Sequence, residues 1–225
     1  MKKVGKPIFK SDLEGKSTEE KMQLDLYRKR KTDFQFHLPR YNDLTELNVY
    51  MNQLLNILDE TLSQFAIPGE EKTITKSMIN NYVQKRVILP PVNKKYGRVH
   101  IIHLITIGVL KQVISIEEIN QIIHMQLNYY PKIGIAYNYF CIALEDALNG
   151  AFNNIRTPRI NREKRPPTLL SELIDSCVIT FAHRIFVKKA LYIARPKNYT
   201  DLVNSPVNVM IPDAKKLEDS GKRSE

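Results

Sequence analysis

The chain has 225 residues, of which 43% are hydrophobic, and this composition predicts a folded protein with a sizeable core and excludes a disordered one. Its formal net charge of +10 indicates an anionic partner, which nucleic acid, acidic lipid or acidic protein would satisfy. Cys141 and Cys177 have no metal-clip spacing and form no disulfide framework, so we expect a cytoplasmic protein. The longest apolar run, residues 101–110, is too short to span a bilayer, and no membrane partner is expected.

The first third of the chain is predicted to hold an arm, two helices and a hairpin. Residues 1–40 are charge-rich and aperiodic, which predicts a flexible arm. Apolar residues at helical spacing then predict a helix from Asn42 or Asp43 to about Phe65. A second helix is predicted from about Thr75 until Leu89 and the two prolines after it. The polar, basic segment 92–97 ends in glycine and has the composition of a small hairpin, or wing.

The rest of the chain is predicted to be helical. Residues 99–114 are apolar nearly all round, which favours a buried helix in which Gly108 lets a neighbour approach closely. Ser115 and Glu118 have the spacing of a capping box, so the next helix is expected to start there. Two longer helices are predicted over about 132–152 and 168–194, and prolines and charges after residue 195 predict a flexible tail.

The distribution of charge is the strongest indication of function. Residues 72–116 contain no Asp or Glu, although the chain has 24 of them in 225 residues. The same stretch contains eight cations, which are Lys72, Lys76, Lys85, Arg86, Lys94, Lys95, Arg98 and Lys111. Part of the stretch, 101–110, lacks acids because it is core, but residues 72–98 are not explained in this way. A long segment without carboxylates favours contact with phosphates.

The order of helices also indicates DNA binding, because helix-turn-helix proteins present the start of one helix to the major groove. Short polar and basic side chains lie on the first turns of the second helix, namely Thr75, Lys76, Ser77, Asn80 and Asn81. Asn can pair with adenine, and Lys can reach guanine or phosphate. We expect Asn80 and Lys76 to contact bases and Asn81 to lie nearer the phosphates. An ordinary solvated helix face is the alternative for the two asparagines.

The segment 75–123 resembles the winged-helix domain of MerR-type transcriptional regulators. Ile79-Asn80-Asn81-Tyr82 stands where that family has Ile-Arg-Tyr-Tyr, and 87–90, Val-Ile-Leu-Pro, replaces its Gly-Leu-Leu-Pro. The family's wing corresponds to 93–96, Asn-Lys-Lys-Tyr, and its closing Ser-Leu-x-Glu-Ile to 115–119. The resemblance implies a wing that touches DNA with Lys94 and Lys95. No cysteine pair stands at metal-sensor positions, so metal sensing is not implied.

Residues 37–150 resemble more closely a bacterial family of unknown function that is related to the MerR regulators. The shared motifs are Ser-Met-Ile-Asn-Asn-Tyr at 77–82, Lys-Lys-Tyr at 94–96 and Ser-Ile-x-x-Ile at 115–119. This resemblance implies a DNA-binding regulator without a known ligand. The MerR recognition arginine is Asn80 here and the first tyrosine is Asn81, which departs from the MerR pattern.

The predicted fold is therefore mostly α, with a MerR-like winged helix-turn-helix domain at 41–128 and a helical dimerisation or effector region at 129–195, followed by a tail at 196–225. The predicted function is sequence-specific binding of duplex DNA by a homodimer, through Thr75, Lys76, Ser77, Asn80, Asn81, Lys85, Arg86, Lys94, Lys95 and Arg98. An unknown small-molecule effector is compatible with this function. The alternatives are an RNA-binding protein that uses the same basic face and a helical protein-interaction adaptor.

An enzyme, a metal site and a cofactor are not expected. The sequence contains no readable nucleophile–base set and no phosphate-binding glycine loop. His100 and His103 are three residues apart on a predicted helix, but no third zinc ligand is near in sequence, so ordinary core or surface histidines are favoured.

Overall fold

The architecture is mostly helical, at 68% of the residues that can be described. The computed structural model describes residues 36–44, 48–129, 132–152 and 168–193. These ranges contain two short strands and six helices, which are β1 (Val49–Tyr50), α1 (Met51–Ser63), α2 (Lys76–Gln84), β2 (Lys95–Tyr96), α3 (Arg98–Leu110), α4 (Ile116–Tyr129), α5 (Ile133–Phe152) and α6 (Leu169–Ile193). Most of the predicted N-terminal arm and the whole predicted C-terminal tail lie outside the described residues.

Helix α1 begins at Met51 rather than at Asn42 or Asp43, where the sequence predicted it. The Tyr50 N–H donates to Gln53 Oε1 at 3.0 Å, which satisfies one backbone donor at the helix start. Three leucines at a spacing of four residues, Leu54, Leu58 and Leu62, face the core and are buried. Asn42 and Asp43 are not helical and belong to a segment, residues 36–44, that binds to α5.

Segment 36–44 is attached to α5 by hydrogen bonds. The Arg40 guanidinium binds both carboxylate oxygens of Glu145, at 2.8 and 2.5 Å, and the Leu38 N–H donates to the same carboxylate at 2.8 Å. The Tyr41 N–H donates to Asn138 Oδ1 at 2.8 Å. Leu38 is fully buried, so the end of the predicted arm is part of the core.

Helix α2 has a defined start and a defined end. Thr75 caps it, since its side chain accepts from the Met78 N–H at 3.3 Å. At the other end Arg86 has a φ of 56°, and the N–H groups of Arg86 and Val87 donate to the carbonyls of Val83 and Tyr82. This is a Schellman motif, in which the left-handed position usually holds glycine. It ends α2 at Gln84, five residues before the predicted end.

The predicted hairpin is present. Val92 and Lys95 exchange backbone hydrogen bonds of 3.1 and 2.9 Å, and the two residues between them, Asn93 and Lys94, have φ angles of 51° and 62°. Two consecutive positive φ angles make a type I′ turn, whose twist suits a two-residue hairpin loop. β2 then pairs antiparallel with β1, with Val49 opposite Tyr96.

Helix α3 lies in the middle of the core, as predicted from its all-round apolar sequence. Gly108 lies against α1, because a Cβ at this glycine would stand 2.7 Å from Leu62 Cδ1. The capping box that was predicted for α4 is formed, since the Ser115 N–H donates to Glu118 Oε2 at 2.7 Å and the Glu118 N–H donates to Ser115 Oγ at 3.2 Å. No helix within the described ranges is both long enough and apolar enough to cross a membrane.

Helices α5 and α6 pack along each other and complete the core. Phe181 of α6 is fully buried and meets Phe65 edge to face, with ring centroids 5.3 Å apart. Lys189 of α6 donates to the Gln64 carbonyl at 2.9 Å. The C-terminal helices therefore share one core with α1 and α3.

Candidate nucleic-acid interface

Helix α2 exposes one uncharged polar face. Ser77, Asn80, Asn81 and Gln84 are all exposed, whereas Ile79 and Tyr82 are buried. With about 100° of rotation per residue, the four exposed side chains occupy an arc of about 100°. None of the four makes a side-chain hydrogen bond or ion pair within the part of the chain that is described. This set of four is called the polar face below.

Gln84 was not among the predicted site residues. It lies seven residues after Ser77, so its side chain points in nearly the same direction as that of Ser77. The predicted contact residues of the polar face lie on the first turns of α2, because the helix was expected to continue to Leu89. The helical spacing itself would have identified Gln84.

Three exposed cations border the polar face along the chain. Lys76 is the first residue of α2, Arg86 follows its last turn, and Lys94 occupies the tip of the hairpin. Their side chains have no ion pair or hydrogen bond among the described residues. Arg86 and Lys94 have left-handed backbone conformations. Glycine adopts this conformation easily, whereas a residue with a long side chain is sterically disfavoured there.

The other predicted cations contact neighbouring side chains. Lys85 Nζ lies 3.2 Å from Glu117 Oε1 at the start of α4. Lys95 Nζ lies 5.2 Å from the centroid of the Tyr50 ring. Arg98 stacks on Tyr41, with 4.7 Å from its guanidinium carbon to the ring centroid. These contacts fix the ends of α2 and α3 and the base of the hairpin, so the three cations have structural contacts in addition to their charge.

Thr75, which was predicted as a contact residue, has the capping role already described. Its hydroxyl oxygen is engaged by the Met78 N–H. Thr75 therefore helps to fix where α2 starts, because its side chain accepts a hydrogen bond from a backbone N–H that has no partner within the helix.

Glu117 is a carboxylate that contacts the end of α2, through Lys85. Hydrogen bonds from its own backbone N–H and from Lys85 hold the pKa of Glu117 below its usual value, so it remains charged. Its charge is therefore matched by Lys85 and lies at the far end of α2 from Lys76.

His100 connects the α2–α3 loop to the start of α3. The Gly97 N–H donates to His100 Nδ1 at 3.0 Å, and His100 Nε2 lies 3.3 Å from the Pro90 carbonyl oxygen. The Nδ1 acceptor requires the proton to be on Nε2, which donates to Pro90. Both ring nitrogens are therefore used, and this geometry is consistent with the expectation of an ordinary core or surface histidine.

His103 is one turn further along α3 and faces inward. Burial, with a smaller contribution from His100, lowers the pKa of His103 to about 4. Within the described ranges no group of three His, Cys, Asp or Glu side chains could hold a metal ion. Burial also raises the pKa of the Cys141 thiol to about 11, which makes it a poor metal ligand.

Two polar pairs inside the protein were not predicted from the sequence. They are the partly buried pair Arg40 with Glu145, and Tyr139 with the buried Asp175, whose hydroxyl and carboxylate are 2.6 Å apart. Each pair joins residues far apart in the chain, and no local motif marks them. The first pair attaches segment 36–44 to α5 and the second joins α5 to α6, so neither includes a residue of the polar face.

The chain matches none of the curated proteins and none of the solved structures. The comparisons show no link to MerR-type regulators, so that relationship stays a prediction. Residues 39–140 match the model of one family, described as a domain of unknown function (DUF1836), and this segment contains α2, the hairpin and α3. The match confirms the predicted resemblance of this part of the chain to an uncharacterised family.

Proposed function

We propose that this protein is a sequence-specific DNA-binding transcriptional regulator that places α2 in the major groove and the hairpin tip beside the phosphate backbone. The observation that carries this proposal is the polar face of α2 together with the cations Lys76, Arg86 and Lys94, which precede and follow it in the chain. All seven side chains are exposed and without partners among the described residues. The stretch from residue 72 to 116 adds no carboxylate that would repel a phosphate.

The shape of the surface supports duplex DNA. An α-helix fits the B-form major groove, where hydrogen-bonding side chains can reach the base edges. The order of α1, α2, hairpin and α3 supports the proposed winged helix-turn-helix, in which the helix would read bases and the wing would contact the backbone. The major groove of A-form RNA is too deep and narrow for a helix, so RNA fits the polar face less well.

A homodimer belongs to this proposal, because dimers read paired half-sites. Exposed apolar side chains on α6, which include Leu169 at 66% exposure and Leu191 at 64%, offer a surface for a second copy. An unknown effector that acts on the same C-terminal helices remains part of the proposal. Light scattering of the free and DNA-bound protein measures the dimer, and a monomer in both states would contradict it.

The decisive experiment is selection of bound sequences from a random duplex DNA pool, followed by titrations at several salt concentrations. Replacing Lys76 and Arg86 together by alanine should lower the log–log salt slope by about 0.9 for each lost phosphate contact. Lys132→Ala is the matched control, because Lys132 is exposed, has no partner among the described residues and lies outside the proposed surface. Tighter binding of structured RNA than of any duplex DNA would instead support the RNA-binding alternative.

A further inference from the structure

The chemistry of the polar face restricts which bases it can read. The face contains three carboxamides, Asn80, Asn81 and Gln84, and one hydroxyl, Ser77. It contains no arginine, lysine or carboxylate. Guanine in the major groove offers two acceptors, N7 and O6, and is usually read by Arg or Lys, whereas cytosine offers a donor that Asp or Glu accepts. The face therefore lacks the usual readers of a G·C pair.

Adenine has the edge that a carboxamide complements. Adenine N7 accepts a hydrogen bond and its N6 amino group donates one. The amide nitrogen of Asn or Gln can donate to N7 while the amide oxygen of the same side chain accepts from N6. Such a two-point contact needs both amide atoms, and those of Asn80, Asn81 and Gln84 have no hydrogen-bond partner among the described residues.

The length of the face sets the size of the subsite. Ser77 and Gln84 are separated by seven residues, or about 10 Å along the helix axis at about 1.5 Å per residue. Base pairs of a duplex are about 3.4 Å apart, so the face spans about three of them. The cations Lys76, Arg86 and Lys94 precede and follow the face in the chain, where contacts to phosphates would fix its register without selecting a base.

We infer that α2 reads the major-groove edge of adenine at consecutive A·T pairs through Asn80, Asn81 and Gln84, so that the preferred DNA carries a run of about three A·T pairs at this subsite. This inference rests on the proposed function. It adds the class of base recognised and assigns Gln84 as a residue that determines specificity.

The test uses the full chain and the duplex obtained by selection. Each adenine of the selected site is replaced in turn by 7-deazaadenine, which keeps Watson–Crick pairing and removes only the N7 acceptor. We expect each replacement under the polar face to weaken binding about 5- to 100-fold, because it leaves the amide N–H without an acceptor in the interface. The same replacement of guanines by 7-deazaguanine should change the affinity less than twofold at that subsite.

Variants identify which side chain meets which adenine. Asn80→Ala and Gln84→Ala should each lose affinity for the normal site and should each become insensitive to 7-deazaadenine at one position, whereas the exposed control Asn149→Ala should behave as wild type. Since these side chains are exposed, circular dichroism should show unchanged folding. Duplex binding that depends on guanine N7, or is unaffected by 7-deazaadenine, would overturn the inference and leave the proposed function standing. Absence of any duplex binding would overturn both.

Discussion

Replacing Lys94 by glycine should make the protein more stable and its DNA binding weaker. Lys94 is the second central residue of the type I′ turn and has a φ of 62°. The left-handed conformation costs a residue with a Cβ about 1–2 kcal/mol. Glycine avoids that cost but loses about 0.5–1 kcal/mol through the greater freedom of the unfolded chain. The net gain is therefore about 0.5–1 kcal/mol, and Asn-Gly is the dipeptide that this turn prefers.

The same substitution should weaken DNA binding, although it stabilises the fold, because it removes a positive charge. If the tip contacts one phosphate, Lys94→Gly should lower the log–log salt slope by about 0.9. Lys94→Arg retains the charge and the strained backbone, so it should match wild type in both measurements. Lys94→Asn removes the charge and tolerates the left-handed backbone better than lysine does, so it should bind like the glycine variant and gain less stability.

The assays are urea unfolding without DNA and fluorescence anisotropy titrations over a range of salt concentrations. Lys132→Ala controls for the loss of one positive charge from a surface outside the proposed contact. An unchanged salt slope in Lys94→Gly would show that the tip does not touch the backbone. A loss of stability in Lys94→Gly would refute the cost assigned to the left-handed backbone at this position.

Three further predictions concern stability. Thr75→Ala should destabilise the protein by about 1 kcal/mol through loss of the α2 cap, while Thr75→Ser should retain it, as thermal unfolding can measure. Gly134→Ala should cost about 1–3 kcal/mol, because the new Cβ would lie 2.8 Å from the Tyr41 ring; an unchanged melting temperature would mean that the ring moves freely. His103 has a folded-state pKa of about 4 against 6.5 for the free side chain, so the unfolded state binds the proton first and stability falls as pH decreases from about 6.5 to 4. The slope from this group is at most about 1.4 kcal/mol per pH unit, and His103→Leu should remove it from pH-dependent urea unfolding.

Local patterns in the sequence predicted those parts of the fold that depend on neighbouring residues. The capping box at Ser115 and Glu118, the helix start near Thr75 and the hairpin at 92–97 all form, because each depends on side chains or turns within a few residues. The predicted start of α1 was wrong because Asn42 and Asp43 belong to segment 36–44, and Val49 and Tyr50 form β1. That segment is held by Glu145, more than 100 residues away, and no local pattern encodes such a contact.

The candidate site was predicted in part for the same reason. Helical spacing identified Ser77, Asn80 and Asn81 as exposed residues of α2, and the structure places them on one face. The sequence could not show that Lys85 pairs with Glu117 or that Arg98 stacks on Tyr41, since both contacts join different elements. Lys85 and Arg98 therefore have partners in the fold, whereas the side chains of Lys76, Arg86 and Lys94 have none among the described residues.

The position of Tyr41 has a consequence for how the protein unfolds. Its ring lies against Gly134 at the start of α5 and under Arg98 at the start of α3, and its backbone binds Asn138. The Tyr41 side chain thus joins segment 36–44 to the C-terminal helices and to the helix that follows the hairpin. A single cooperative transition, with the same midpoint for helix content and tyrosine fluorescence, is the behaviour that this junction implies. A shortened chain that starts at α1 would lose the junction and the contact of the Phe36 ring with Phe152 at the end of α5.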